Sequence, residues 1–339
     1  MGAASADDAT LRKKIGQMVM VGFSGSNPDD RWVEQLAADA RIGRIGGVLL
    51  LARNIENKAQ LKRLTAKFRA AGALVAIDEE GGLISRFNAL EQFKHFPSAR
   101  EVGAKYDLTK ARATYDAMAA QLREVGVNLN FAPVVDIHDP RSAVIGAKNR
   151  AFSAKASEVT AYANEFIDAM HDAHVLTALK YFPGHGGAQI DTHKAKAVLE
   201  KYNFDELKPY YDLISRGKAD FVMVAHLVVK DLDPASPASL SRKIITGLLK
   251  DKLGFEGAVI SDDLLMHALD EYGLPERVVR AVNAGSDVVL VTEYFLRQTN
   301  SVKLLNDVIF DAVKRGDISE SRINDAYNRI KKIKSKIKE

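Results

Sequence analysis

Three groups of residues carry side chains that could do chemistry. The densest is Lys180-Tyr181-Phe182-Pro183-Gly184-His185-Gly186-Gly187-Ala188-Gln189-Ile190-Asp191-Thr192-His193. Glycines and a proline interleaved with two histidines and an aspartate describe a loop, and such loops carry function when a rigid scaffold presents them. Asp191 and His193 stand two apart, close enough in a tight loop for the carboxylate to orient the imidazole and stabilise its cation. That pairing makes a general acid/base. The same residues also allow a plain turn, or a zinc site built from His185, Asp191 and His193. The helical His-Glu-x-x-His spacing is missing and a glycine-rich loop is a poor rigid cage, so no metal is expected.

The second group is Gly257-Ala258-Val259-Ile260-Ser261-Asp262-Asp263-Leu264. An aspartate that ends a buried strand can attack as a carboxylate nucleophile, bind a sugar or metal, or simply cap the next helix. Side chains alternate along a strand, so only one of the adjacent pair should face a pocket. The third group is Ile77-Asp78-Glu79-Glu80-Gly81-Gly82-Leu83-Ile84-Ser85-Arg86. Carboxylates accept and a guanidinium donates in fixed geometry, which suits recognition of a polyol. The glycine pair is not followed by Lys-Ser/Thr and is no phosphate loop.

These groups need elements to position them. Eight short apolar, β-branched runs recur with helix-like stretches between them: 18–23, 47–51, 74–77, 127–132, 176–179, 221–224, 258–260 and 287–291. The intervening patterns predict helices over 60–68, ending near Gly72, and over 110–125, 156–171, 242–252 and 319–336. Polar residues follow every run: Ser24, Arg53-Asn54, Asp78-Glu79-Glu80, Asp136, Lys180 with His185, His226, Asp262-Asp263 and Thr292-Glu293. A (β/α)8 TIM barrel gathers its active site at the C-terminal ends of its strands, and this chain does so after each one. No dinucleotide glycine fingerprint follows the first run and no linker divides the chain. The expected organisation is a short N-terminal extension over 1–14 and one barrel domain over 15–339 that includes a basic C-terminal helix.

Composition fits a soluble globular protein. The chain has 339 residues, 47% hydrophobic and 27% charged, with a net charge of +4 too dispersed to grip nucleic acid. The one dense basic stretch, Arg329, Lys331, Lys332, Lys334, Lys336 and Lys338, reads as a solvated last helix whose cations suit its C-terminal dipole. Cysteine is absent, which excludes disulfides and thiolate chemistry. No apolar run reaches the ~18 residues needed to span a bilayer. Met1–Asp8 is small and polar and reads as the start of a mature exported, periplasmic protein whose leader has been replaced by Met1.

Together the three groups resemble glycoside hydrolase family 3, in particular its single-domain β-N-acetylhexosaminidase branch. The motif of that branch, Lys-His-Phe-Pro-Gly-His-Gly followed by Asp-x-His, is matched by Lys180 to Gly186 with Asp191 and His193. The family's Gly, apolar residues, Ser/Thr-Asp is matched by Gly257 to Asp262, its Asp-x-Glu-Gly-Gly by Asp78 to Gly82, and its Ala-His by Ala225-His226. The resemblance runs from about Ile15 to Val291. It departs at Tyr181, where the family usually has His, at Leu83, where Arg is common, and around Arg150, whose Gly-x-Arg-x-Phe stretch carries two extra residues.

The resemblance implies a retaining β-N-acetylglucosaminidase with Asp262 as nucleophile and His193, oriented by Asp191, as acid/base. It implies that Asp78, Arg86, Arg150, Lys180 and His226, with Tyr181 and His185 in the pocket, hold the non-reducing sugar. The implied partner is a small N-acetylglucosamine-containing glycan such as a peptidoglycan fragment, acted on by a monomer without a cofactor. A β-glucosidase or a phosphorylase of the same family, or a glycan-binding module with a decayed site, remain open alternatives.

Overall fold

The computed structural model describes residues 6–296 and 299–337. The eight apolar runs become eight parallel strands: β1 Val19–Gly22, β2 Gly47–Leu50, β3 Leu74–Ile77, β4 Leu129–Asn130, β5 Leu176–Phe182, β6 Phe221–Val224, β7 Ala258–Asp263 and β8 Val288–Val291. They bond in chain order and close into a barrel, with Met20 of β1 in register with Gly47 on one side and Leu290 on the other. The expected (β/α)8 barrel is the observed one. β4 is shorter than its apolar run because Pro133 has no N–H to give the ladder. Its neighbour still uses the segment: the N–H groups of Ala178 and Lys180 donate to the carbonyls of Ala132 and Pro133.

Helices cover the barrel where the apolar spacing places them. Lys58–Ala70 buries Leu61, Leu64, Thr65 and Phe68 along one stripe, and the Asn57 side chain accepts from the Gln60 N–H to cap it. Each of these large apolar side chains removed from water contributes roughly 1.5–3 kcal/mol before chain entropy is counted. Leu108–Glu124 and Ala156–Asp172 form likewise, and the stretch expected over 242–252 is a π-helix, Lys243–Lys252.

The first and last described α-helices meet beneath the barrel. Residues 6–14, assigned to the extension, lie in a helix, Ala6–Gln17, that buries Leu11 and Ile15 and packs on Ser301–Arg315 and Glu320–Lys334. Met1–Ser5 fall outside the described residues. The basic stretch expected to be solvated is in large part tied down. Arg329 donates to the carbonyls of Phe255 (3.1 Å) and Gly257 (2.9 Å). Lys334 Nζ reaches Gln17 Oε1, Gly46 O and Gly72 O at 2.7–3.0 Å, and Lys336 pairs with Asp220 at 2.7 Å. The reason is geometric: backbone carbonyls at the entry of β2, β3 and β7 need donors, and long cationic side chains supply them while their stems stay packed.

Asp287, fully buried before β8, gathers the Val259 N–H (2.8 Å), Lys250 (3.0 Å) and Arg322. Removing it takes from Lys250 its near anion, leaving Asp325 at 3.8 Å, and from Arg322 one of its two carboxylates, and breaking a buried pair in this way typically costs about 3–5 kcal/mol. Asp287→Ala is expected to lower the thermal midpoint by several degrees. It should leave kcat within about twofold at a permissive temperature, because it lies at the opposite end of the barrel from Asp262. Thermal melts and steady-state rates on the same preparation check both parts.

Candidate active site

Beyond β3 the chain stays extended, so Asp78 and Glu80 point one way and Glu79 the other. Gly81 and Gly82, at φ of 85° and 57°, turn it back on itself, and a Cβ on Gly81 would sit 2.3 Å from the Pro97 carbonyl. The return strand pairs Ser85 with Glu79 and brings Arg86 onto Asp78, Nη2 to Oδ2 at 2.7 Å. This explains the spacing of the third sequence group.

From Asp78 an alternating file of charges crosses the barrel mouth. Lys180, on β5 and without exposed surface, lies 2.9 Å from Asp78 and 2.7 Å from Glu80. Arg150 grips Glu80 with two nitrogens, at 2.9 and 2.6 Å, and donates to the Tyr181 hydroxyl at 2.7 Å. Burial alone would push both carboxyls up, but the adjoining cations hold them below the usual range. Burial likewise opposes charge on Lys180, and the two carboxylates reverse this and raise it. The two extra residues before Arg150 are absorbed in its loop, and the guanidinium still enters the site. Asp78 and Arg86 keep some exposure, 15% and 28%, whereas Lys180, Glu80 and Arg150 are closed off behind them. Leu83 lies 71% exposed, away from this file.

At the end of β7 the two aspartates separate as alternation requires. Asp263 accepts from the Thr292 hydroxyl and N–H and from the Leu265 N–H, stitching β7 to β8. Asp262 makes one bond, to the Asp263 N–H at 2.8 Å, and stands within electrostatic reach of Tyr181, His185 and His226. His226 is completely buried. Its Nε2–H donates to the Asp263 carbonyl (2.9 Å) and its Nδ1 accepts from Ser239 (2.7 Å), which leaves no ring nitrogen for a sugar. The residue implied as a sugar contact therefore supports the backbone of the aspartate pair. Burial pulls its pKa down, consistent with a neutral ring holding that tautomer.

The glycine-rich loop after β5 divides into an anchored base and an open tip. Asp136 accepts the His185 N–H at 2.9 Å, Tyr202 donates to the Pro183 carbonyl at 2.6 Å, and Glu206 receives the Ile137 N–H at 2.9 Å while also bonding the backbone of Gly186. A Cβ on Gly184 or Gly186 would strike the Glu206 side chain at 2.6 or 2.4 Å, which accounts for glycine at both. At the tip, His193 Nδ1 donates to Asp191 Oδ1 at 2.8 Å, and the His193 N–H donates to the same oxygen at 3.0 Å. With Nδ1 carrying hydrogen, Nε2 is the atom free to exchange a proton. Burial would raise the Asp191 carboxyl, but the His193 N–H and imidazole, with Lys148 at 3.9 Å, hold it below its usual range. His193 is 60% exposed and faces the solvent side of the mouth. His185 is buried and burial pulls it down to about 4, so it is neutral and no second acid/base at ordinary pH.

This barrel, with the free aspartate at the end of β7 and its Asp-x-His loop, matches the model described as "Glycosyl hydrolase family 3 N terminal domain" over residues 10–333. A β-hexosaminidase of Idiomarina loihiensis is 37% identical over 285 residues, 80% of this chain and 83% of that protein. The chain belongs to glycoside hydrolase family 3. Among solved structures, a family 3 β-N-acetylglucosaminidase from a Paenibacillus species superposes with a TM-score of 0.87 at 33% identity. That match covers 99% of this chain and 63% of the longer one. A β-N-acetylhexosaminidase of Beutenbergia cavernae, of similar length, gives 0.84 at 29% identity, covering 96% and 98%. As a glycoside hydrolase of this family, the chain presents Asp78, Arg86, Asp262 and His193 to the mouth and keeps the rest of the charged set behind them.

Sequence reasoning placed Glu80 in the third group without giving it a role of its own, which the two-residue alternation from Asp78 could have supplied. It passed over Glu206, which lies on a 3-10 turn, Phe204–Glu206, far along the chain with no local signal.

Glu79, pointing away from Asp78, is 1% exposed, and one of its oxygens has no partner. Burial pushes its carboxyl from 4.5 to about 8. Over that interval the folded state holds a proton that the unfolded chain releases, so Glu79 makes stability fall as pH rises from about 4.5 to 8. Glu79→Gln should therefore flatten the decline. Melting curves across that range would show the variant gaining on the parent as pH rises; parallel slopes would refute the assignment.

Proposed function

We propose that this enzyme is a retaining β-N-acetylhexosaminidase that removes terminal β-linked N-acetylglucosamine, with peptidoglycan fragments as its substrate class. The observation that carries the reading is the Asp191–His193 pair, which sets a histidine with a defined outward nitrogen where most glycosidases place a second carboxylic acid. The names of the Idiomarina, Paenibacillus and Beutenbergia proteins support the acetamido sugar. The peptidoglycan class is supported by the resemblance of the Lys180–Gly186 motif.

In the first half-reaction an Asp262 oxygen attacks the anomeric carbon as the bond to the aglycone oxygen breaks, and that oxygen takes the proton from His193 Nε2. The product is a glycosyl ester on Asp262. In the second, the now neutral Nε2 removes a proton from water, the water oxygen attacks the anomeric carbon, and the Asp262 carboxylate leaves. Asp191 stabilises the imidazolium at each stage. Asp78 and Arg86, the exposed end of the charged file, accept from and donate to sugar hydroxyls. Lys180 and Arg150 act through the carboxylates they hold. The enzyme uses a loop for proton transfer and a strand end for attack.

Release of nitrophenol from the N-acetyl-β-glucosaminide, with the β-glucoside alongside, tests the reading. Strong turnover of the acetamido sugar alone is expected, abolished in Asp262→Ala, with no sugar 1-phosphate formed when phosphate is added. Preference for the glucoside, or an Asp262→Ala variant at parental rate, would overturn it. His193→Ala should lose kcat/KM most on glycosides with poor leaving groups, by roughly 100-fold or more, because those need protonation.

A further inference from the structure

Between the two dyad partners stands a residue of opposite character. Asp191 is partly exposed and His193 mostly so, yet Thr192 is 2% exposed. Its carbonyl and its hydroxyl are both engaged outside the tip. The Thr192 carbonyl accepts the Ala268 N–H at 3.1 Å, and Ala268 belongs to the 3-10 turn His267–Leu269 that follows the nucleophile strand β7. The Thr192 hydroxyl meets Nε2 of His185 at 3.3 Å, and His185 is fastened through its own N–H to Asp136. Lys148 and Lys196 also reach the tip, but Lys148 stands 3.9 Å from Asp191, and Lys196 pairs with Glu271 across an exposed surface.

From this arrangement we infer that Thr192 is a positioning residue, a clip that fixes the acid/base loop to the loop of the nucleophile and to the buried base of its own loop. The inference rests on the dyad reading above. The backbone bond to Ala268 is the buried tie between the tip and the segment leaving Asp262, with the Lys196–Glu271 pair as an exposed one, so the distance between proton donor and nucleophile is set across the two loops rather than by the long way round the barrel. The hydroxyl–imidazole contact governs how Thr192 seats: it turns the side chain inward within the turn that the Lys194 and Ala195 N–H groups close on the Asp191 carbonyl, while Asp191 and His193 keep their exposure. His185 serves as the anchor for this contact. It is neutral, and one of its nitrogens has no partner, so it can share a proton with a hydroxyl without bringing charge beside Asp262.

Thr192→Val keeps the shape and the backbone carbonyl while deleting the hydroxyl; Thr192→Ser keeps the hydroxyl. The readout is kcat/KM on two N-acetyl-β-glucosaminides, a dinitrophenyl one that leaves without protonation and a phenyl one that needs it, with His193→Ala measured in parallel. Thr192→Val is expected to lose about 10-fold on the phenyl substrate and stay within about twofold on the dinitrophenyl one, with Thr192→Ser recovering most of the loss. A merely structural role would lower both substrates together. Equal losses on both, no loss on the phenyl substrate, or failure of Thr192→Ser to recover would overturn the inference. If His193→Ala shows the leaving-group split and Thr192→Val does not, the clip alone fails; if neither shows it, the dyad reading fails with it.

Discussion

An ammonium with no exposed surface costs several kcal/mol to desolvate unless anions take the place of water, and Lys180 sits under that constraint at the centre of the barrel mouth. Asp78 and Glu80 meet the demand from one strand end, and each then needs a further cation, which Arg86 and Arg150 supply. Asp78, Lys180 and Glu80 each lie between two groups of opposite charge, so the members of the file hold one another in place. This gives Asp78, at the partly exposed end of the file, a fixed orientation. It also means that the groups nearest the opening of the mouth owe their geometry to residues closed off behind them.

The barrel separates two tasks along its axis. At the lower end, buried aspartates, arginines and lysines satisfy backbone groups at strand entries, as at Asp287 and Asp220. At the upper end residues of the same kind leave selected groups with open positions or exposure: the Asp262 carboxylate and Nε2 of His193. The difference between the two ends lies in how many of the hydrogen-bonding positions are already filled.

Much of this was legible in the chain itself. The eight apolar runs located all eight strands because buried parallel strands are short and β-branched, and the polar residue after each marked the functional face. Alternation resolved Asp262 from Asp263 in principle, and the structure shows which one is free. Three features were not legible. His226 carries a motif position but spends both nitrogens internally, a fact decided by Ser239 and the Asp263 carbonyl. The basic stretch looked solvated because its acceptors, the carbonyls of Gly46, Gly72, Phe255 and Gly257, have no side-chain signature. Glu206 supports the glycine-rich loop from a distant segment, so neither spacing nor periodicity could link them.

The cations beneath the barrel have a consequence for the order of events during synthesis. Arg329, Lys334 and Lys336 follow all eight strands in the chain, yet they satisfy groups at the entries of β2, β3 and β7 and the buried Asp220 that precedes β6. The helix that opens the described chain rests on the same segment through Lys14 and Asn324. While the ribosome is still extending the chain through the eighth βα unit, the underside of the first strands is wet and open, and the opening helix has nothing complete to rest on. Vectorial growth can lay down the upper wall strand by strand, but sealing of the floor waits for the emergence of residues past 329. A nascent chain stalled before that point would hold a closed mouth over an unsealed base.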